Sequence, residues 1–374
     1  MRSRLWAGVA AVLLAPALMV GCADGSPADT PKGSGALPAD TTGAPYIVQL
    51  DKATFKLSDR VIQKIKNGEE LNFVYSISDA GQPVFTDAIK SGFEEGVAAA
   101  AKKVDYPIKS RLIGPVGGGN EKQVAEIRSL LNANQIDALV FNAAQPGPFV
   151  DVLNEVIERG IPVWGTGGDS PASNRIGFFS LNEEDAGNLA AQAVATWAKA
   201  ENVDVRKAAL FTGDPAGPWA QARMRGFVKG LTEAFPGVQF VNSVENPYNT
   251  SFDFPKVYST AKAFIAGNPD VQVLFHTDQG VQMLGKAIAD SNRTGKTFAA
   301  GFNLSKQILD YVESGDIVTT VGQNWHGQAR TAAEAAVAFI FEGEVTKGVN
   351  YADPFVVTKE NLADARTRLE NGGA

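Results

Sequence analysis

The sequence predicts an α/β protein of two lobes, each a parallel sheet packed between helices. Short apolar runs without polar–apolar alternation, such as Ala138–Phe141, are typical of strands buried on both faces of a parallel sheet. Runs with helical apolar spacing follow nearly every such strand, which indicates repeated strand–helix units. This alternation begins near Leu71 and starts again after Asn182. Two consecutive α/β halves in a mature chain of about 350 residues imply two lobes with a crevice between them.

Residues 1–21 are interpreted as a lipoprotein signal peptide. A basic start, Met1–Arg4, precedes the mostly apolar run Leu5–Val20, which is shorter than the roughly 20 residues of a bilayer span. This run leads into Leu18–Cys22, which resembles a bacterial lipobox, with Met19 where leucine is usual. The resemblance implies that Cys22, the only cysteine, is lipidated and anchors the protein to the extracytoplasmic side of the bacterial cell membrane. An ordinary signal peptide with an incidental cysteine is the alternative.

Residues 22–45 are predicted to form a disordered tether. They are rich in small and polar residues, and Leu37 is their only large apolar side chain, so they bury too little surface to fold. The formal net charge of the chain is −7, and an acidic surface argues against a nucleic-acid partner. No other segment of the sequence is long and apolar enough to suggest a membrane span.

The first half of the chain divides into an arm and a series of strands and helices. An amphipathic helix within Asp51–Glu70, with Leu57, Val61 and Ile65 at four-residue spacing, is expected to pack as an N-terminal arm. Capping signals and helix breakers then separate the predicted elements. The strands are Leu71–Ser76, Pro107–Ile113, Ala138–Phe141, Pro162–Trp164 and Ile176–Leu181, and the helices are Pro83–Lys103, one starting at Asn120 and one carrying Val150, Leu153 and Ile157.

The second half repeats this alternation. The predicted helices are Asp185–Lys199, Pro218–Phe235, Asp253–Gly267, Gln279–Ser291, Leu304–Ser314 and Gly327–Glu342. The predicted strands are Ala208–Thr212, Val238–Val244, Val271–Phe275, Phe298–Phe302 and Ile317–Val321.

Polar residues stand where predicted strands end. Asn142 follows Ala138–Phe141, and the flexible segment Gly165–Asp169 follows the next strand. In open α/β sheets ligands bind at the carboxyl ends of the strands, so these positions are candidates for a binding site. The alternative for Asn142 is a residue that only caps a loop.

Six short segments carry a resemblance to a known family. They are Ser78–Phe85, Phe141–Asn142, Arg223–Phe227, Phe275–Asp278, Gly301–Asn303 and Val321–Gln323, in the order that the family shows. On these segments the chain resembles, from about Leu71 to Val357, a type I periplasmic solute-binding protein of the ribose and galactose class. The resemblance implies a two-lobed type I periplasmic-binding-protein fold. It also implies capture of a sugar or sugar alcohol by hinge closure, for an ATP-driven (ABC) importer.

The same resemblance implies the lobe boundaries and the partners. Such folds cross between lobes three times, and these crossings are placed near Asn182, Gln323 and Ala352. The N-terminal lobe then comprises residues 46–181 plus 324–352, and the C-terminal lobe comprises residues 182–323 plus 353–374. The expected partners are a sugar or polyol and an ABC permease with its ATPase, and we expect a monomer without cofactor or metal. The alternative function is a ligand-sensing receptor component that presents its closed form to a membrane signalling protein.

A sugar site needs amides, carboxylates and a guanidinium around an aromatic ring, because sugar hydroxyls both donate and accept hydrogen bonds. Arg223 offers a planar fork of donors to two adjacent hydroxyls, or else forms a structural salt bridge. Phe85, Trp219 and Phe252 are candidates to pack on the apolar face of the ligand, or else are ordinary core residues. The polar candidates lie just beyond predicted strands or at helix starts, and they are Gln82, Asn142, Asp169, Arg223, Asp278, Asn303 and Gln323.

Three positions depart from the family pattern. Asn303 stands where the family more often has aspartate, and Gln82 stands where asparagine is common. Asp169 aligns with the aspartate of a family Asp–Arg pair whose arginine is missing here. A pocket with one fewer guanidinium and one fewer carboxylate favours a different sugar or a sugar alcohol over ribose.

Catalysis finds little support in the sequence, and no catalytic residue is predicted. His276 and His326, the two histidines, have no cysteine or carboxylate at metal-ligand spacing. His276 is expected to terminate a strand. Gly117–Gly119 precedes a helix but lacks the Lys-Ser/Thr of a P-loop, so a mobile turn is preferred to a phosphate cradle. An enzyme acting on sugars is therefore disfavoured.

Overall fold

The computed structural model describes residues 46–370. The predicted signal peptide, the lipidation site Cys22, the tether and the last four residues of the chain lie outside the described residues. Within 46–370, every helix is too short or too polar to cross a bilayer.

An N-terminal arm precedes the first parallel sheet. It comprises the antiparallel strands β1 (Ile47–Gln49) and β2 (Thr54–Lys56) and the helix α1 (Asp59–Asn67). The fully buried carboxylate of Asp137 accepts hydrogen bonds from Arg60 at 2.5 Å and Lys64 at 2.8 Å. Because one buried anion holds two cations of α1, this cluster ties the arm to the first sheet.

The first sheet has six strands, all parallel, in the order β14-β7-β6-β5-β3-β4. Its elements are β3 (Leu71–Ser76), α2 (Pro83–Lys103), β4 (Ile108–Ile113), α3 (Asn120–Asn132), β5 (Ala138–Phe141), α4 (Val150–Glu158), β6 (Val163–Thr166), β7 (Gly177–Ser180), α10 (Trp325–Phe341) and β14 (Gly348–Tyr351). All four side chains of β5 are buried, as its lack of alternation predicts.

The second sheet has seven strands, in the order β10-β8-β11-β12-β13-β15, with β9 also pairing with β8. Its pairs are parallel except for the antiparallel pair of β13 and β15. Its elements are α5 (Glu183–Ala200), β8 (Lys207–Thr212), α6 (Pro218–Ala234), β9 (Gln239–Phe240), β10 (Tyr248–Asn249), α7 (Phe254–Gly267), β11 (Val273–His276), α8 (Val281–Asp290), β12 (Phe298–Phe302), α9 (Lys306–Ser314), β13 (Ile317–Gly322), β15 (Phe355–Val357) and α11 (Leu362–Glu370). The predicted α/β fold class, with parallel sheets and flanking helices, is confirmed.

The strand predicted at Val238–Val244 is wrong in extent, since only Gln239–Phe240 is a strand. The side chain of Asn242 takes the place of a strand backbone there. Its Nδ2 donates to the carbonyl of Leu210 at 2.8 Å, and its Oδ1 accepts from the N–H of Leu210 at 2.9 Å. The Asn242 side chain therefore satisfies the backbone N–H and carbonyl of Leu210, and no further strand backbone is required at that position.

The chain passes between the two sheets three times. The passages join β7 to α5, β13 to α10, and β14 to β15. Separate buried clusters pack around the two sheets. The carboxyl ends of the parallel strands of both sheets face a cleft at these passages.

Candidate functional site

The cleft between the sheets has an empty volume of about 720 Å³, counting its open mouth. The cavity volume without that open solvent is about 200 Å³, which is below the roughly 300–1,000 Å³ of pockets for drug-sized ligands and therefore favours a small ligand. Most of its polar lining residues lie within two residues of the end of a strand, as expected for open α/β sheets. Of the ten predicted ligand-binding residues, the cleft is lined by Phe85, Asn142, Trp219, Arg223, Phe252, Asp278, Asn303 and Gln323.

Gln82 and Asp169 are not among the residues that line the cleft. Gln82 is exposed just before α2, where its Nε2 lies 3.4 Å from the Asp79 carboxylate. Asp169 accepts two hydrogen bonds from Arg175, through Nε and, at 2.5 Å, through Nη2. The expectation that Asp169 lacks an arginine partner is therefore wrong. The arginine lies six residues further along the chain, and the intervening loop brings it back.

Arg223 stands at the base of the cleft and is only 2% exposed. Its Nε donates to Glu183 at 2.6 Å, its Nη1 to the carbonyl of Thr277 at 2.8 Å, and its Nη2 to Gln323 at 2.5 Å. The structural salt bridge that was the alternative interpretation of Arg223 is therefore present, and Glu183 is its partner. A guanidinium carries five N–H donors, so one donor on each terminal nitrogen has no acceptor among residues 46–370.

Gln323 and Asn303 continue this network. The side-chain oxygen of Gln323 accepts from Arg223, and its Nε2 donates to the Asn303 side chain. Asn303 adopts a left-handed backbone with φ of 78°, which asparagine tolerates better than most residues. The result is a continuous chain of hydrogen bonds from Asn303 to Glu183 along the second sheet's side of the cleft.

Asp278 is held by the backbone that surrounds it. Its carboxylate accepts from the N–H groups of Gly213 at 2.9 Å and Gly280 at 3.0 Å. His276 ends β11 as predicted, and burial lowers its pKa despite the nearby Asp278 carboxylate. A neutral, fully buried imidazole cannot exchange protons with a ligand, which supports a structural role.

The wall formed by the first sheet is less polar. Asn142 follows β5, and its Nδ2 donates to the carbonyl of Thr166 at 3.0 Å. Phe85 and Trp325 meet edge to face, with ring centroids 4.8 Å apart. Trp325 also packs on Gly167, where a Cβ would overlap the indole ring. The other lining residues of this wall are Ser78, Ala143, Ala144 and Gly168.

Phe252 and Trp219 form an aromatic pair on the opposite wall, with centroids 6.3 Å apart and an interplanar angle of 26°. Phe252 is 53% exposed, which excludes a core role. Its φ of 57° places an aromatic residue in the left-handed region, at a cost in conformational energy. Strain of this kind is typical of functional sites.

Four polar or aromatic side chains that line the cleft were not predicted from the sequence: Ser78, Glu183, Asp214 and Trp325. Glu183 is the first residue of α5, where an acidic residue is expected for helix stability alone. Nothing in the sequence pairs it with Arg223, 40 residues later. Only their position in the sequence marks Glu183 and Trp325 as candidates, because both closely follow predicted crossings between the lobes, at Asn182 and Gln323.

The glycine segment Gly117–Gly119 is fixed by a hydrogen bond to another part of the chain. All three glycines have positive φ, and the N–H of Gly117 donates to the Asp79 carboxylate at 2.9 Å. The segment therefore contacts a carboxylate, and this negative charge disfavours a bound phosphate there. Among residues 46–370, no group of three or more potential ligand side chains is arranged to hold a metal.

A model of the family described as "Periplasmic binding protein domain" matches residues 73–344, more than half of the chain. A search of curated proteins gives no match.

Three solved structures illustrate the similarity in fold. GanP, a glucose-galactose binding protein from Geobacillus stearothermophilus, is 23% identical, with a TM-score of 0.67 over 79% of this chain and 99% of that one. An ABC transporter solute-binding protein from Burkholderia graminis, in complex with D-arabinose, is 24% identical, with a TM-score of 0.68 over 78% and 96%. A carbohydrate transporter from Acidothermus cellulolyticus, in complex with myo-inositol, is 18% identical, with a TM-score of 0.66 over 82% and 100%.

Proposed function

The chain belongs to the family of periplasmic binding proteins, and from that premise we propose that it captures a sugar or sugar alcohol outside the cytoplasm. The protein delivers this ligand to an ATP-driven importer, whose permease and ATPase are its membrane partners. The family is one of substrate-binding proteins and not of enzymes. The comparisons do not favour the sensory alternative.

The composition of the cleft carries the proposal. Free donors on Arg223 and oxygen acceptors on Asp278 and Glu183 match hydroxyl groups, which donate and accept at once. Aromatic faces on both walls match the apolar C–H face of a sugar ring or cyclic polyol. The solved structures of similar fold, described with glucose-galactose, D-arabinose and myo-inositol, support the same ligand class.

Capture proceeds by closure of two lobes about the three passages. One lobe is residues 46–181 plus 324–352, and the other is residues 182–323 plus 353–374. The open form exposes two half-sites, and the ligand bridges Asn142 on the first lobe to Arg223 and Asp278 on the second. Closure follows from the higher affinity of the closed form for the ligand.

The protein works as a monomer held at the membrane surface by a lipid on Cys22. The anchor leaves the binding lobes outside the cytoplasm, with the segment 22–45 as spacer. The lipobox-like segment Leu18–Cys22 supports this anchor.

A thermal-shift screen over neutral sugars and polyols tests the ligand class. A true ligand at 100 times its dissociation constant should add about 2.7 kcal/mol to the free energy of unfolding. Small-angle X-ray scattering on that complex should then show a smaller radius of gyration than the free protein. Absence of any stabilising sugar or polyol would refute the ligand class, and an unchanged scattering profile at saturation would refute closure.

A further inference from the structure

The charged side chains of the cleft are unevenly distributed. Among the described residues that line it, the carboxylates are Glu183, Asp214 and Asp278, and the only cation is Arg223. All four belong to the second sheet's side, whereas the first sheet's wall presents no ionisable side chain. The cleft therefore carries an excess of two formal negative charges.

Glu183 cancels the positive charge of Arg223. Its carboxylate accepts from Nε at 2.6 Å, and the two side chains are only 13% and 3% exposed. In such a poorly solvated position, opposite charges in contact interact strongly and are weakly screened by salt. Arg223 therefore keeps two free N–H donors for the ligand but offers little net positive field.

The other carboxylates have no compensating cation in the described chain. Backbone N–H groups hold Asp278, and the N–H of Ala216 donates to Asp214 at 3.0 Å. His276, the nearest basic side chain to Asp278, is buried and has a lowered pKa, so it adds no positive charge at neutral pH. A ligand carboxylate or phosphate would face two unneutralised negative charges, which costs binding free energy.

We propose that Glu183 determines the charge selectivity of this cleft, so that it takes uncharged sugars or polyols and excludes sugar acids and sugar phosphates. The inference rests on the proposed function, which names the ligand class but not its charge. Removal of the Glu183 charge unmasks Arg223, whose two free donors then form a fork suited to a carboxylate or phosphate.

Calorimetry on matched ligand pairs tests the exclusion in the unaltered protein. The pairs are D-glucose with D-glucuronate, D-galactose with D-galacturonate, and myo-inositol with its monophosphate. For any pair whose neutral member binds, the anion should bind at least about a hundredfold more weakly. An anion that binds within tenfold of its neutral partner would overturn the inference and leave the proposed function standing. If none of these ligands and no other neutral sugar or polyol binds, the proposed function fails and the inference fails with it.

Glu183→Gln tests the role of the residue itself. The glutamine oxygen still accepts the Arg223 N–H, so the variant removes charge and keeps shape. The ratio of neutral to anionic affinity should fall by roughly tenfold or more. Glu184→Gln is the matched control, because Glu184 faces the exposed Arg225 at 3.5 Å and does not line the cleft. In Glu184→Gln the ratio of neutral to anionic affinity should equal that of the unaltered protein.

A purely structural Glu183 would give a different result. Glu183→Gln would then weaken neutral and anionic ligands by the same factor, and the unchanged ratio would overturn the assignment. If Glu183→Gln does not fold, Asp214→Asn replaces it, since Asp214 lines the cleft without bonding to Arg223. This variant should lower the ratio in the same direction but by less, and no change in the ratio would again count against the inference.

Discussion

Replacing Arg223 with alanine should damage both the empty protein and its complex. The guanidinium satisfies Glu183 and Gln323 in a nearly buried position. Its removal leaves the Glu183 carboxylate, 13% exposed, without its cation. Loss of one partner of a buried ion pair typically costs about 3–5 kcal/mol, so the free energy of unfolding without ligand should fall by about that amount.

Ligand affinity should fall as well. The two free N–H donors of Arg223 are available for charge-assisted hydrogen bonds to the ligand, and the loss of both together should cost about 1.5–3 kcal/mol or slightly more. Arg223→Ala should therefore weaken binding roughly tenfold to several hundredfold, since 1.4 kcal/mol is a factor of ten. Urea unfolding followed by fluorescence and circular dichroism measures the first effect, and calorimetry with the ligand from the screen measures the second.

Arg225→Ala is the internal control on the same helix. The Arg225 side chain is 51% exposed and lies 3.5 Å from Glu184 outside the cleft. Exposed pairs of this kind contribute about 0–1 kcal/mol, so stability and affinity should both stay close to those of the unaltered protein. Equal losses in the two variants would refute the assignment of Arg223 to a buried ion pair that also contacts ligand.

A double-mutant cycle isolates the pair energy. Glu183→Ala alone leaves a buried guanidinium, and Arg223→Ala alone leaves a buried carboxylate. The double variant leaves neither charge, so its loss of stability should be smaller than the sum of the single losses by about 2 kcal/mol. Strict additivity would show that the two side chains do not depend on each other.

Four further predictions follow from other parts of the molecule. Asp137→Asn should lower the free energy of unfolding by about 3 kcal/mol and speed proteolysis of the N-terminal arm, because the two cations of α1 lose their buried anion; unchanged urea unfolding would contradict this. Phe252→Gly should leave stability within about 1 kcal/mol, since glycine adopts its left-handed backbone freely, while calorimetry shows weaker binding; retained affinity would place the ring outside the ligand contacts. Stability should fall as pH drops below the ordinary His276 pKa of 6.5, because the unfolded imidazole takes up a proton that the folded one, with its lowered pKa, does not; His276→Gln should flatten that part of the profile in urea unfolding. Cys22→Ser should release the protein to the medium or leave it held by an uncleaved signal, and a membrane fraction that contains the processed variant would contradict lipidation.

Much of the fold was predictable because its main signals are local. The strands Leu71–Ser76 and Phe298–Phe302 and the helix Pro83–Lys103 have the predicted bounds. Each is marked by a long apolar pattern or by turn residues at both ends. By contrast, β14 and β15 were not predicted. They have only four and three residues, of which Val357 alone is buried, so they lack a hydrophobic pattern and their pairing follows from the position of the sheet they join.

The parts of the site that could not be predicted are pairings between distant residues. The carboxyl-end rule is enough to place Asn142, Asp278 and Asn303 at the carboxyl ends of their two sheets, where the cleft lies. It does not show that Glu183 meets Arg223 or that Arg175 meets Asp169, because charged partners in a loop or on another helix have no fixed spacing. The sequence therefore indicates which residue types reach the cleft but not which of their charges are already neutralised.

Under the proposed closure mechanism, the two walls of the cleft contribute differently to affinity and to closure. A ligand that contacts only the second lobe binds open and closed forms equally and cannot shift their populations. The ionic groups of that lobe therefore set affinity for the open form. The higher affinity of the closed form over the open form must come from groups on the first lobe. These groups are Asn142, Ser78 and the ring pair of Phe85 and Trp325. Substitution of Asn142 should reduce closure at saturating ligand more than it reduces initial capture, whereas substitution of Asp278 should weaken capture and leave closure at saturating ligand unchanged.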